Sequence, residues 1–149
     1  MGIAEEIRQK KFKSELSKAL INIIYTNGWL LQKQVGVFKP HGLTNAQFNV
    51  LRILRGQFPN PSTINLLIER MLDKSSNASR IIDKLELKDL VERRQCSGDR
   101  RAVDVIISQS GLDLLQIIDL EMTSLEESIN KLSEKECESL NNLLDKLRS

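Results

Sequence analysis

Residues 74–107 read KSSNASRIIDKLELKDLVERRQCSGDRRAVDVII, and this stretch decides the fold. Its first half carries apolar residues at the spacing of one helix face, namely Ala78, Ile81, Ile82 and Leu85. It therefore predicts a short helix from Ser75 to Lys88 with a polar, partly basic outer face. Asp89 stands where that helix must end, a position that often needs a left-handed backbone, which Asp tolerates well.

A β-hairpin is predicted to follow this helix. Apolar and polar residues alternate over two segments that begin at Val91 and Val103, which is typical of strands. Between the segments lies a basic tip that contains Cys96, Asp99, Arg100 and Arg101. Helix and hairpin together suggest a winged DNA-binding unit.

The outer face of the helix has the side-chain chemistry of DNA recognition. Small hydrogen-bonding groups on the first turns of a helix can approach base edges in a major groove. The candidate DNA-binding residues on this helix are Ser75, Ser76, Asn77, Ser79, Arg80 and Lys84. For Ser75, capping the helix is favoured over binding DNA.

The hairpin supplies further candidate DNA-binding residues, which are Arg93, Arg94, Asp99, Arg100 and Arg101. Arginines at the tip can reach a minor groove or phosphates, and Asp99 can orient a guanidinium through a charge-assisted pair. Arg93 and Arg94 lie on a strand that passes beside the DNA backbone, so phosphate contacts and structural ion pairs both stay open for them.

Upstream of the helix, the pattern predicts a long amphipathic helix over residues 3–38, which Pro40-His41-Gly42 ends. Thr44 and Gln47 have capping-box spacing and open a helix to about Arg55. Ser62 is predicted to cap a further helix over about 63–72. The predicted core residues of these last two helices are Phe48, Leu51, Leu54, Ile64, Leu67, Ile68 and Met71.

Downstream, residues 108–111 are predicted to cap a long helix from about Leu112 to Lys131. Ser133 and Glu136 form a second capping box, which opens a helix to about Leu147. The apolar residues of these two helices exceed what a small winged-helix core covers. We therefore expect helices from both ends of the chain to dimerise.

Composition excludes several other classes. With 149 residues, 40% hydrophobic and 28% charged, the chain fits one domain of 1–149. It shows no membrane segment or secretory signal, which predicts a cytoplasmic location. Cys96 and Cys137 are isolated, so we expect neither zinc, another metal nor a disulfide, and no cofactor. With His41 as the single histidine and no phosphate-binding glycine loop, we expect no enzyme.

Charge is distributed unevenly along the chain. Residues 1–111 hold 18 basic and 11 acidic side chains, a net of +7, whereas residues 112–149 hold 4 basic and 9 acidic ones, a net of −5. The first part is therefore the one expected to face DNA.

Three strings make the chain resemble the MarR family of multiple-antibiotic-resistance-type regulators. They are LTNAQFNVL at 43–51, SRIIDKLE at 79–86 and DRRAVDVIISQSG at 99–111. The third is similar to the family's wing signature, in which the second arginine enters the minor groove and the aspartate orients it, here Arg101 and Asp99. Asp89 departs from the family's usual glycine, and Pro59-Asn60-Pro61 is unusual in its loop.

The resemblance implies a mainly α fold with a small β-hairpin wing. A winged helix-turn-helix unit at 43–108 would be flanked by N- and C-terminal dimerisation helices at 1–39 and 112–149. The implied function is transcription regulation, as a homodimeric repressor that binds a palindromic operator in double-stranded DNA and is released by a small molecule or another signal.

Relatives often bind small aromatic effectors between the dimerisation helices and the winged unit. The corresponding candidates are Tyr25, Trp29, Phe38, His41 and Phe48. Aromatic residues at helical spacing are also typical of a core, so that alternative stays open. A rival function is a winged-helix module whose helix and hairpin bind protein without specific DNA binding.

Overall fold

The computed structural model describes residues 1–95 and 103–149. In chain order the elements are α1 (Ile3–Glu6), α2 (Glu15–Phe38), a 3-10 turn (Lys39–His41), α3 (Asn45–Gln57), β1 (Ser62–Thr63), α4 (Ile64–Arg70), α5 (Ala78–Leu87), β2 (Val91–Gln95), β3 (Val103–Ile107), α6 (Gln109–Ile129) and α7 (Glu134–Arg148). The mainly α fold with a small antiparallel sheet confirms the predicted fold class.

The predicted hairpin is present, and its register is regular. β2 and β3 pair antiparallel, with Val91 opposite Ile107 and Gln95 opposite Val103. The sheet has a third strand that the sequence did not predict, because β1 pairs with the other edge of β3. The central strand β3 is thus held on both sides.

The core lies where α3, α5 and the sheet meet, and α6 closes it. Its fully buried residues include Val50, Leu51, Leu67, Ile82, Leu85, Val105, Leu115 and Ile118. Most of the predicted core positions of α3, α4 and α5 are buried, which follows from their helical spacing. Ile68 is an exception, since 46% of it is exposed.

Both predicted capping boxes and the predicted end of α5 are confirmed. The Thr44 hydroxyl accepts the Gln47 N–H at 3.1 Å, and the Gln47 side chain accepts the Thr44 N–H in return. Ser133 and Glu136 form the second predicted capping box. Asp89 has φ of +58°, the left-handed conformation expected at the end of α5.

The prediction of one helix over residues 3–38 was wrong. α1 ends at Glu6, and Arg8 adopts a φ of +53°, which no α-helix can continue through. α2 begins only at Glu15, where the Ser14 hydroxyl accepts the Ser17 N–H at 3.0 Å. A serine cap thus separates a first turn from the long helix.

The helix of the deciding stretch begins at Ala78 rather than at the predicted Ser75. Asn77 is its N-cap, because its side-chain oxygen accepts the Arg80 N–H at 3.1 Å. Ser75 and Ser76 lie in the preceding turn and donate their hydroxyls to the Asp73 carboxylate at 2.6 and 3.1 Å. The expected capping role of Ser75 therefore belongs to Asn77.

Ser62 does not cap the next helix as predicted. It is 2% exposed and pairs with Val105 in the sheet, whereas the Thr63 hydroxyl accepts the Leu66 N–H at 3.1 Å and caps α4. α4 ends at Arg70, two residues before the predicted end.

α6 begins at Gln109, three residues before the predicted start. The Ser108 hydroxyl caps it by accepting the Gly111 N–H at 3.1 Å. At its other end α6 stops at Ile129 rather than Lys131. Across residues 1–95 and 103–149, no helix combines the length and apolar character that crossing a membrane requires.

Candidate nucleic-acid interface

The outer face of α5 is polar over its first two turns. Ala78, Ile82 and Leu85 are buried against the core. The opposite face leaves the polar side chains of Asn77, Ser79, Arg80, Asp83 and Lys84 exposed, and Leu87 is exposed at its end. The helical period thus places these candidates together on one accessible surface.

The turn before α5 is held by an acidic side chain. Asp73 accepts the two serine hydroxyls described above and the Ser75 N–H at 3.0 Å. The hydrogen bonds from Ser75 and then Ser76 lower the pKa of the Asp73 carboxyl, so the ionised acceptor is favoured in the fold. The hydroxyl groups of Ser75 and Ser76 therefore donate their hydrogen bonds within this turn.

A crevice of about 250 Å³ separates the start of α3 from α5. Thr44 and Gln47 line it on the α3 side, and Asn77, Arg80 and Lys84 line it on the α5 side. The N-terminus of α3 adds the positive end of its helix dipole. A site with two cations beside a helix N-terminus suits a phosphate group.

Arg93 joins the hairpin to α5. Its guanidinium donates to the Asp83 carboxylate and, at 3.3 Å, to Glu86. Its backbone N–H also donates to Glu86 at 3.2 Å. The hydrogen bond with Asp83 raises the pKa of Arg93, although burial acts in the opposite sense. Of the two roles left open for Arg93, the structural ion pair is the one formed.

Arg94 is placed differently. Its guanidinium lies 3.7 Å from Glu92 of the same strand, and 60% of its side chain is exposed. Such a loose surface pair leaves Arg94 able to reach a phosphate. The predicted tip residues Cys96, Asp99, Arg100 and Arg101 lie outside the described residues.

The candidate effector residues do not form one pocket. Phe48 stacks on Phe38 in the core, with ring centroids 4.2 Å apart, and both are buried. His41 instead contacts Glu121 of α6 at 2.9 Å. Phe38 on α2 and Phe48 on α3 are therefore core residues, which is the alternative that the sequence left open.

Tyr25 and Trp29 do come together. They line a crevice of about 460 Å³ between α1 and α2, with Ile3 and Glu6 on the α1 side. The Tyr25 hydroxyl donates to Glu6 at 2.9 Å, and this bond raises the pKa of the phenol. The crevice falls within the size range of small-molecule sites.

Sequence reasoning missed the ion pairs that join distant elements. Asp83 and Glu86 stand three residues apart on α5, on the side facing Arg93, and both pair with it. Arg55 with Asp119 and His41 with Glu121 were also missed. Within residues 1–95 and 103–149, no group of three acidic, histidine or cysteine side chains is arranged to hold a metal ion.

Comparison with known proteins gives the family. Residues 41–102 match the model of the MarR family. The chain is 31% identical over 108 residues to the HTH-type transcriptional regulator MhqR of Bacillus subtilis, covering 72% of this chain and 73% of the relative. It is 26% identical over 121 residues to the transcriptional repressor MprA of Escherichia coli K12, covering 80% and 69%.

A solved structure extends the likeness to the fold. The structure of a mutant MarR from E. coli, complexed with operator DNA, matches with a TM-score of 0.78 at 24% identity, over 93% of this chain and 99% of that one. The relatives are named as regulators and repressors, which are not enzymes, as the sequence led us to expect. The motifs, the winged fold and a relative 31% identical together place this chain in the MarR family of transcriptional regulators.

Proposed function

We propose that the protein is a homodimeric repressor that binds a palindromic operator in double-stranded DNA and leaves it when a small aromatic effector binds. The observation that carries the proposal is the outer face of α5, where Asn77, Ser79, Arg80 and Lys84 are exposed together. Base edges are read by such side chains on a helix that enters the major groove.

The proposed contacts divide by chemistry. Ser79 and the amide nitrogen of Asn77 are on side chains short enough to reach base edges, whereas Arg80 and Lys84 beside the α3 crevice suit phosphates. Ser76 also lines this crevice, and Ser75 precedes it in the chain, so their oxygen atoms can still accept or bridge through water. We assign Arg94 to contacts with the DNA phosphate backbone and Arg93 to holding the wing in place.

The wing tip is assigned on resemblance alone. Asp99, Arg100 and Arg101 match the family's wing signature, so we propose that Arg101 enters the minor groove and that Asp99 orients it. A narrow minor groove concentrates negative potential, which favours an inserted guanidinium.

Dimerisation is proposed from apolar surface that the chain leaves uncovered. α7 has 15 residues and buries none of them, although a helix of this length is marginal in water by itself. Large apolar residues are exposed on α2, α6 and α7, including Leu16, Ile24, Ile117, Leu120, Leu140 and Leu143. A second copy that packs against residues 1–39 and 112–149 would cover this surface, leaving 43–108 as the DNA-binding unit.

A two-fold dimer would present two copies of α5 to one face of the duplex. The operator would then be palindromic, with half-sites about one helical turn, ~10 bp, apart. A repressor role is supported by the name of MprA as a transcriptional repressor. Such a regulator works in the compartment that holds the DNA, in agreement with the expected cytoplasmic location.

The effector is proposed to bind the crevice of Tyr25 and Trp29, where two aromatic rings and the Glu6 carboxylate meet. Trp29 is the single tryptophan, so its fluorescence reports on this crevice directly. Titration with salicylate and related phenols is expected to quench it saturably. A flat titration across these compounds would remove the crevice as their site.

The DNA-binding face is tested by removing its two cations. Arg80→Ala with Lys84→Ala is expected to abolish retention of duplex DNA at moderate salt. The matched control, Lys131→Ala with Lys135→Ala, removes the same charge near α7 and should retain DNA normally. Equal retention by both variants would exclude these two α5 cations from the DNA interface, and no retention by the unaltered protein would favour the rival, a protein-binding module.

A further inference from the structure

α6 contributes both to the core of the winged unit and to the proposed dimer surface. Leu115 and Ile118 are fully buried in the core of the winged unit, whereas Ile117 and Leu120 on its other side are exposed in the proposed dimer surface. The orientation of α6 relative to α3 therefore determines where a dimer holds its two copies of α5. Any contact that fixes this orientation also fixes the distance between them.

One such contact lies at the end of α3. The Arg55 guanidinium donates to both carboxylate oxygens of Asp119, at 2.7 and 3.2 Å. A two-pronged pair of this kind fixes direction as well as distance, because both N–H groups and both oxygens must stay in one plane.

A second contact joins α6 to the turn that precedes α3. His41, in the 3-10 turn that joins α2 to α3, has its Nε2 atom 2.9 Å from Glu121. At about 100° per residue, Asp119 and Glu121 point about 200° apart around α6. They stand on opposite sides of the apolar stripe of Leu115, Ile118 and Met122.

In this arrangement the apolar stripe holds α6 against the core, and the two bridges set its orientation. Apolar packing is non-directional, so the buried stripe alone would allow α6 to roll against α3. A bridge on each side of the stripe opposes rolling in both directions. Both bridges are partly exposed, so they contribute little to global stability.

We infer that the pairs Arg55–Asp119 and His41–Glu121 form a clamp that sets the half-site spacing the dimer accepts. Asp119 and Glu121 are thus positioning residues for operator selection, although neither lies on the DNA-binding face. The inference rests on the proposed function, because it requires a dimer on a palindrome.

The test uses a palindrome selected by the full-length protein from random duplexes, prepared also with one base pair removed from or added to its centre. The unaltered protein is expected to prefer the selected spacing by about tenfold or more, within the usual range of coupling between sites. Asp119→Asn with Glu121→Gln is expected to reduce this preference to about threefold or less, with unchanged binding to an isolated half-site.

Two further variants make the result specific. Glu126→Gln with Glu127→Gln removes the same charge from exposed positions of α6 and should keep the spacing preference. Exchanging the Arg55 pair, as Arg55→Asp with Asp119→Arg, should restore what Asp119→Arg alone loses. Rescue of the spacing preference at an unchanged free energy of unfolding would separate positioning from a merely structural role.

An unchanged spacing preference in the Asp119 and Glu121 variant would overturn the clamp. So would loss of its fold, because the bridges are inferred to orient α6 rather than to stabilise it. Failure of the proposed function has a different signature, since the unaltered protein would then yield no palindrome.

Discussion

The guanidinium of Arg93 on β2 is bonded to the carboxylate of Asp83 on α5, so the hairpin and the proposed recognition helix are tied to each other directly. Glu86, one turn further along α5, holds the same guanidinium at 3.3 Å and the Arg93 N–H at 3.2 Å. These contacts couple the position of the wing to that of the helix that it flanks.

The ion pair between Asp83 and Arg93 predicts that removing a negative charge near DNA lowers operator affinity. Asp83→Asn removes a negative charge near DNA, which by electrostatics alone should strengthen binding. We expect operator binding to weaken instead, because the wing loses its position. The measurement is operator affinity at fixed salt, and tighter binding would show that Asp83 merely competes with DNA for Arg93.

Replacement of the arginine itself complements that test. Arg93→Lys keeps the charge but cannot hold two carboxylates with one planar group, so operator affinity should fall while stability falls by about 1 kcal/mol or less. Arg94→Lys is the matched control on the same strand, and its affinity should change little. Equal losses for both variants would contradict the tie.

Asn77 is predicted to act both as a cap and as a DNA contact. Asn77→Ala should lower the free energy of unfolding by about 1 kcal/mol, since the cap of α5 is lost. Asn77→Asp should keep the stability, because Asp caps equally well, yet weaken DNA binding through its negative charge. Urea unfolding and operator titration measure the two effects, and full DNA affinity in Asn77→Asp would exclude a contact.

Gly111 is predicted to be needed for close packing of α6 on the sheet. A Cβ added there would lie 2.5 Å from the Leu90 carbonyl oxygen and 2.6 Å from Cγ1 of Ile107. Gly111→Ala should therefore destabilise the fold by about 1–3 kcal/mol. In Gly56→Ala, the added Cβ has nothing within 4 Å, so that variant should be as stable as the natural chain or up to about 1 kcal/mol more stable.

Arg101 is predicted to contribute directly to operator affinity. Arg101→Ala should cost about 1–3 kcal/mol of binding and leave the oligomeric state unchanged. Titration of a labelled operator, with light scattering as the control, measures both. An unaltered affinity would remove Arg101 from the interface, and the absence of any DNA binding in the natural protein would favour the protein-binding module.

Dimerisation through α7 gives a prediction for Leu143, which is 65% exposed in the single chain. Leu143→Glu should convert the dimer to monomers, since it places a charge in a surface expected to become buried. Leu87→Glu, at a position 85% exposed on α5, should leave the dimer intact. Light scattering on purified variants decides this, and a dimeric Leu143→Glu would place the interface elsewhere.

Features with a local cause could be predicted from the sequence. Capping boxes at Thr44 and Ser133 and the left-handed Asp89 depend on neighbours within a few residues. The exposed face of α5 followed from the helical period, and the hairpin from alternation. These signals are complete within short windows of the chain.

What the sequence did not reveal depends on distant partners. β1 exists because Ser62 pairs with Val105, and the Asp119 and Glu121 bridges reach back to α3 and to the turn before it. The break before α2 had a local signal in Ser14, but the apolar spacing across residues 3–38 obscured it. Arg93 could likewise be predicted on a strand of the hairpin, whereas its ion pair with Asp83 depends on the fold.

The measurement that tests the central claim most directly is selection of DNA from a random duplex pool by the purified protein at two salt concentrations, followed by sequencing. We predict enrichment of a palindrome and retention that falls steeply with salt, as phosphate contacts require. Salt-sensitive retention without enrichment would contradict sequence-specific recognition. No retention even at low salt would contradict the assignment of α5 and the wing to DNA.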